Sequence, residues 1–242
     1  MNNQLYATTG PQPGSAAPRR RHHWLRWTIV GVLALVVVAA VGVVAFVKLQ
    51  PAPARLAPPG PAAANAPAGP LDGTWNVVSG SQAGFRVRES GFGLSDEVVG
   101  RTGAVTGSAA VSGNQILTAT FRVDLTTLTI AGKAQPQFAK SLDTAGNPIA
   151  VVTLTRPVAL GSGFPSGATV TVAAAGDLTM HGITHPVTIN LSGRRDGSTL
   201  QAAGSIPVAF SAWNIQGPSG GGFLGSLADH GVAEFQVTLQ HA

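Results

Sequence analysis

The chain contains no cysteine, which excludes a disulfide scaffold, a thiolate metal site and a lipid-modified N-terminal cysteine. Charged residues are also scarce, at 10% of the sequence, and the first 70 residues contain no acidic residue. Those 70 residues carry six Lys/Arg, whereas residues 71–242 carry nine Lys/Arg against ten Asp/Glu. The net positive charge therefore belongs to the N-terminal region. Because the remainder has no basic excess to neutralise a phosphate backbone, we predict no nucleic-acid partner.

One long uncharged run lies near the N-terminus. It begins at Thr28, ends at Val47 and holds twenty residues without a charge. At about 1.5 Å per helical residue, such a run covers roughly 30 Å, the thickness of the hydrocarbon core of a bilayer. We therefore expect residues 28–47 to form one transmembrane helix, because only a helix satisfies its own backbone hydrogen bonds in lipid. The arginines before it predict a cytoplasmic basic tail over residues 1–27, a single-pass membrane location and an extracytoplasmic C-terminal part. A cleaved signal peptide is the alternative interpretation.

Proline and alanine dominate residues 48–70. Seven of the seventeen prolines of the chain lie between Gln50 and Leu71. Such a composition cannot bury enough apolar surface to fold, so we expect an extended linker. Residues 71–242 would then form the folded domain.

Apolar residues recur with a period of two throughout that domain. They alternate with polar residues over 119–125, 187–191 and 233–239, and about nine such segments are separated by Gly, Asn, Asp or Pro. This pattern is typical of strands with one buried and one solvated face. Only residues 134–142 look helical. Since strands do not alternate with helices, we predict an all-β, antiparallel domain with one short helix.

The length of two segments favours a barrel over a sandwich. The alternating series over 169–181 and 199–211 are each about a dozen residues long, whereas strands in globular proteins average about 5–6 residues. Long strands suit a tall closed barrel. About eight strands enclose an interior that is wide enough for one small ligand.

Two histidines, His181 and His185, lie four residues apart. On a single strand they would be about 13 Å apart, which is too far to bind one ion. A turn at Gly182 would bring them closer, but zinc would still need a third ligand. We therefore predict no metal site, and we expect His181 to hydrogen-bond at a hairpin and to fix its geometry.

Signatures of catalysis are missing from the sequence. It has no Gly-x-Ser-x-Gly turn, and its glycine clusters lack the strand-to-helix context of a phosphate or dinucleotide loop. We predict that the protein is not an enzyme and uses no cofactor. Arg86 and Arg88 alternate with Phe85 and Val87, so both arginines are expected on a solvated barrel exterior.

Five segments resemble sequences of the YceI family, and they follow one another along the domain in the order that they have in the family. They are LDGTW (71–75), FRVR (85–88), VGRTGAVTGS (99–108), ATFRVDLTTL (119–128) and GDLTMHGITHPV (176–187). The last of them follows the family's Gly-x-Leu-Thr-x-His-Gly-x-Thr-x-Pro-Val hairpin. The resemblance implies an extracytoplasmic, lipocalin-like barrel that binds a polyisoprenoid lipid.

The apolar faces of the strands are the candidate ligand-binding surface. Its predicted members are Phe85, Val87, Phe121, Val123, Leu125, Leu154, Leu178, Met180, Ile189, Leu191, Phe210 and Phe235. Many other positions on these faces are small, which favours a hollow interior: Ala109, Ala119, Ala174, Ala202, Gly204 and Ala233. We therefore expect the domain to bind, as sequestration or transport, a long apolar lipid at the outer face of the cytoplasmic membrane. The alternative is a non-catalytic envelope interaction or structural module whose core is filled.

Overall fold

The computed structural model describes Leu35 and residues 53–57, 60, 69–91, 94–217 and 226–242. The chain divides into two compact units, Met1–Pro51 and Ala52–Ala242. In the described part of the second unit, the elements are β1 (Gly73–Val77), β2 (Gln82–Gly91), β3 (Leu94–Thr102), β4 (Val105–Ser112), β5 (Gln115–Asp124), β6 (Thr129–Ile130), α1 (Pro136–Ser141), β7 (Ile149–Leu154), β8 (Val158–Ala159), β9 (Val170–Met180), β10 (Ile183–Asp196), β11 (Thr199–Ala209) and β12 (Ser226–His241).

Eight of these strands close into an antiparallel barrel. Their order around the wall is β1-β4-β5-β7-β9-β10-β11-β12, and β12 pairs back with β1. Closure leaves these eight strands without a free edge, since each pairs with a neighbour on both sides. The prediction of an antiparallel barrel of about eight strands with one short helix is confirmed.

The other four strands extend this wall without changing its topology. β1 and β2 form one bent ribbon, because both pair with β12. β3 and β4 form a second bent ribbon beside it, because β4 pairs with β1 and β3 pairs with β2. Ser81 stabilises the first bend, because its hydroxyl donates to the carbonyl oxygen of Val78 at 2.8 Å and accepts from the backbone N–H of Thr238 at 3.1 Å. β6 and β8 add two-residue pairings to β3 and β5.

The long alternating series of the sequence form the long strands of the barrel. β9 and β11 each span eleven residues, and β10 and β12 span fourteen and sixteen. His181 and Gly182 form the two-residue turn between β9 and β10, with φ angles of 52° and 73°. Both angles suit a type I′ turn, whose twist matches that of the flanking strands. The predicted hairpin is thus present.

The two ends of the barrel differ. At one end, which we call the α1 end, α1 lies beside the turn at Leu125–Thr127 and the turn at Phe210–Trp213. The helix is shorter than the predicted 134–142, because Pro136 begins it and the chain turns at Leu142. At the opposite end, which we call the Phe164 end, the turn Phe164–Ser166 places the buried ring of Phe164 against the interior of the barrel.

Part of the predicted linker is held against the barrel. The guanidinium of Arg86 donates to the carbonyl oxygen of Pro53 at 2.8 Å, and that of Arg195 donates to the carbonyl oxygen of Gly69. Residues 53–57 therefore lie on the wall and do not extend freely from it.

The predicted transmembrane helix lies outside the described residues, with the exception of Leu35. The same is true of the predicted cytoplasmic tail. Among the residues that are described, no helix combines the length and the apolar content that a membrane span requires.

Candidate functional site

Two apolar cavities lie inside the barrel, one toward each end. The cavity at the α1 end, here called the α1 chamber, holds about 1180 Å³ of space between atoms, including space that opens to solvent. The cavity at the Phe164 end, here called the Phe164 chamber, holds about 800 Å³ on the same measure. Ligand pockets in proteins are concave and mostly apolar. The interior side chains thus leave apolar space between them toward both ends of the described barrel.

All twelve candidate residues line these chambers. Those of the α1 chamber are Phe85, Val87, Phe121, Val123, Leu125, Leu178, Met180, Phe210 and Phe235. Those of the Phe164 chamber are Leu154, Ile189 and Leu191, together with Phe121 and Phe235 again. Their contact with a ligand stays a prediction.

Several lining residues could not be identified from period two, because they lie outside the regular strands. At the α1 end they are Leu128, Phe138, Leu142 and Ile215. At the other end they are Leu160 and Phe164. These residues come from turns, from α1 and from segments next to short strands, where side chains do not alternate. Their only sequence signal is that they are large apolar residues between polar or Gly-rich neighbours.

Lysine and arginine are missing from the described lining of both chambers. Few polar side chains line the chambers, and in the α1 chamber they are Ser141, Gln216 and Glu234. The Glu234 carboxylate, however, is bound by arginines on the outer side of the wall. The interior thus offers an apolar surface without a cation to pair with an anionic group.

Three phenylalanines of the lining each lie opposite a glycine of the neighbouring strand. The pairs are Phe85–Gly100, Phe121–Gly107 and Phe235–Gly204. A Cβ atom on Gly204 would lie 2.3 Å from Cζ of the Phe235 ring, and one on Gly100 would lie 2.4 Å from Cε1 of Phe85. Glycine therefore gives each ring a place on the wall, which keeps the ring from projecting farther into the interior.

The other predicted small residues have the expected effect at most positions. Those that line a chamber are Ala109, Ala119, Ala202 and Ala233. Ala174 is buried in the apolar cluster around Leu178 and lines neither chamber. Short side chains at four places around the wall leave space that longer ones would occupy.

The two histidines of the β9–β10 hairpin have different roles from those expected. His181 occupies the turn through its backbone, and no hydrogen bond of its side chain is found among the described residues. His185 makes the hydrogen bond instead, donating from Nε2 to the carbonyl oxygen of Ala212 at 2.8 Å, and its ring packs edge-on against Trp213. The hydrogen bond predicted for the His181 side chain is therefore absent from the described residues, and His181 contributes to the hairpin through its left-handed backbone, with a φ of 52°. Within the described ranges, no group of three or more His, Cys, Asp or Glu residues could hold a metal ion.

The outer wall carries a buried ion-pair network around Glu234. Arg86 bonds through Nε to Glu234 Oε1 at 3.0 Å and through Nη1 to Glu97 Oε2 at 2.7 Å. Arg101 reaches the second oxygen of Glu234 at 2.5 Å. The side chains of Arg86 and Glu234 are each only 4% exposed. Arg86 thus faces outward as predicted, but the prediction of a solvated residue is wrong, because residues 53–57 and its acidic partners cover it.

The environment of Glu234 lowers the pKa of its carboxyl. Burial alone would raise this pKa, but the hydrogen bond from Arg86 and the charges of Arg101 and Arg86 outweigh that effect. Gly84 lies opposite both Arg101 and Glu234 in the adjacent strands, and a Cβ atom there would lie 3.0 Å from Nη1 of Arg101. The absence of a side chain at Gly84 lets Arg101 reach across β2 to Glu234.

A family model described as the YceI-like domain matches residues 75–239, which is more than half of the chain. The chain belongs to the YceI-like family. Among solved structures, the domain is similar to a polyisoprenoid binding domain from Saccharophagus degradans implicated in plant cell wall breakdown, with a TM-score of 0.55 and 15% identity over 70% of this chain and 98% of that one. It is also similar to Burkholderia cenocepacia BcnA, with a TM-score of 0.47 and 15% identity over 64% and 95% of the two chains. No curated protein matches this YceI-like chain. At these identities the likeness to the Saccharophagus domain shows a shared fold.

Proposed function

We propose that this YceI-like domain binds a long apolar lipid of the polyisoprenoid class inside its barrel. The observation that carries the proposal is the pair of apolar chambers within a closed wall. The Saccharophagus relative is described as a polyisoprenoid binding domain, and this description supports the choice of lipid class. Binding would be partition of the lipid from a membrane into the barrel, without a chemical step.

The expected driving force is the removal of the lipid chain from water. Each buried CH₂ group contributes about 0.8 kcal/mol, so one five-carbon isoprene unit would contribute roughly 3–4 kcal/mol before the cost of ordering. A few units would suffice for tight binding. Because no cation lines the described interior, a charged head group would remain outside the barrel, where water can solvate it.

The location of the barrel is part of the same proposal. An uncharged run of twenty residues over 28–47, preceded by four arginines, supports a single-pass anchor with its N-terminus in the cytoplasm. The domain would then lie at the outer face of the cytoplasmic membrane, close to the source of its ligand. Fusion of a periplasm-active reporter to the C-terminus would test this orientation, and activity only of an N-terminal fusion would contradict it.

Native mass spectrometry of the full-length chain, released from mild detergent, tests the lipid proposal. The expected result is a complex whose added mass matches a prenol such as geranylgeraniol after incubation with it. A chain that stays empty at every prenol concentration would overturn the proposal.

A charge placed inside the α1 chamber should prevent this binding. Met180 lines the chamber near the end of β9 and is half-buried, so an arginine at this position can be inserted with less damage than at the fully buried Leu178. Met180→Arg is expected to reduce prenol affinity at least about tenfold, because the charge would be desolvated by an apolar ligand. The matched control is Thr188→Arg, which adds the same charge to an exposed position on β10. Equal loss of binding in both variants, with both folded by circular dichroism, would contradict the assignment of the site.

A further inference from the structure

We propose that Phe121 and Phe235 form a gate between the two chambers and set the length of the lipid chain that the barrel accepts. The proposal rests on the lipid-binding function proposed above and adds which residues determine its specificity. In the closed state of the gate the ligand would occupy the α1 chamber alone.

The position of the two rings supports a partition. Both rings line both chambers. Their centroids are 6.4 Å apart and their planes differ by 24°, so they are stacked. Phe121 lies on β5 and Phe235 on β12, two strands that β4 and β1 separate along the wall. The stack therefore spans the interior from one part of the wall to another.

The glycines opposite the two rings favour the closed gate. Gly107 lies opposite Phe121 on β4, and Gly204 lies opposite Phe235 on β11. A Cβ atom on Gly204 would lie 2.3 Å from the Phe235 ring, and one on Gly107 would lie 3.0 Å from the Phe121 ring, so each ring occupies space that the missing side chain leaves. Opening the gate requires at least one ring to leave both its glycine and its aromatic partner, and an aromatic stack stabilises the closed arrangement beyond the burial of its area.

The volume of the α1 chamber sets an upper bound on the chain that it can hold alone. At about 30 Å³ for each non-hydrogen atom, the share of one water in the liquid, even the whole 1180 Å³, which includes space open to solvent, holds no more than about 40 such atoms. Farnesol and geranylgeraniol are well below that limit, whereas solanesol exceeds it. A solanesol chain can therefore be buried completely only if its tail passes the stacked rings into the Phe164 chamber.

The test compares the affinities of farnesol, geranylgeraniol and solanesol for the full-length chain, measured by native mass spectrometry. The variants are Phe121→Ala, Phe235→Ala and the double variant. The matched control is Phe85→Ala, since Phe85 lies in the same interior over its own glycine but lines only the α1 chamber. All four variants enlarge the interior, and only the first three remove a ring that lines both chambers.

The expected result is a rise of at least about tenfold in the affinity for solanesol relative to geranylgeraniol in the gate variants, with an unchanged ratio in Phe85→Ala. An unchanged ratio in the double variant, or the same rise in Phe85→Ala, would overturn the gate while lipid binding stands. Binding of none of the three prenols by the unaltered chain would instead overturn the lipid-binding function and the gate together. If alanine variants do not fold, Phe121→Leu and Phe235→Leu keep most of the apolar volume and remove the ring stack.

Discussion

Replacing Glu234 with glutamine is expected to lower the free energy of unfolding by about 3–5 kcal/mol, the cost of breaking a buried ion pair by removing one partner. Glutamine has the same shape but no charge, and its amide NH₂ would face the donors of Arg86 or Arg101. Arg86 is 4% exposed and, among the residues that the structure describes, would retain only Glu97 as a charged partner. Equilibrium urea unfolding of the full-length chain, followed by circular dichroism, measures the change.

Glu97→Gln provides the comparison for this prediction. The Glu97 side chain is 32% exposed, so water can replace part of what is lost, and the expected decrease is about 1 kcal/mol. Equal decreases for the two variants would show that burial of the Glu234 carboxylate does not determine its contribution.

The pH dependence of stability gives a second test of Glu234. The pKa of this carboxyl is lowered from the ordinary value of 4.5 in the folded protein. A group with a lower pKa in the folded state stabilises the fold fully above its unfolded value, and this stabilisation is lost as the pH falls through the folded value. We therefore expect stability of the unaltered chain to decrease below pH 4.5, and the decrease to be smaller in Glu234→Gln. A steeper acid decrease in the variant would contradict this assignment.

The strands and their inward faces are the part of the molecule that the sequence predicts best. Alternation over 119–125 or 233–239 assigns each residue to one face, and closure of the sheet then directs all the apolar faces to one interior. For this reason the twelve candidate residues line the chambers. The same alternation also assigned Arg86 correctly to the outer face.

Contacts between distant segments could not be predicted in this way. The burial of Arg86 depends on Glu234, 148 residues away, and on residues 53–57, which the composition assigns to a linker. Phe138 and Phe164 line the interior from a short helix and a turn, where period two does not apply. The partition by Phe121 and Phe235 depends on the curvature of the wall, which brings β5 and β12 within ring contact. Period-two alternation specifies the face of each residue but not the residues that meet it across the barrel.

The three glycines that lie opposite phenylalanines help to keep space open inside the wall. Glycine in a strand usually weakens the strand, because it adds conformational freedom to the unfolded chain and no side chain to packing. In this barrel three such glycines each lie opposite a phenylalanine of the neighbouring strand, and the phenylalanine supplies the packing. The large rings thereby bury apolar surface along the wall, and the centre stays open.

Gly107→Ala is expected to lower the free energy of unfolding by about 3 kcal/mol, because two costs add at this position. Gly107 has a φ of 145°, which L residues rarely adopt. Its added Cβ would also lie 2.2 Å from the carbonyl oxygen of Thr120 and 2.8 Å from Cα of Phe121, both backbone atoms of β5 that cannot rotate away. Urea unfolding of the full-length chain measures the loss.

The matched control is Gly103→Ala, four residues earlier in the same bent ribbon. A Cβ atom there would meet only the carbonyl oxygen of Ser81, at 3.7 Å, and the φ angle of Gly103 lies outside the range that favours glycine. The control should therefore leave stability unchanged or raise it by up to about 1 kcal/mol, because alanine restricts the unfolded chain. Similar stabilities of the two variants would show that β4 and β5 can separate at Phe121. In that case the backbone next to Phe121 would deform more easily than the close approach of β4 and β5 indicates.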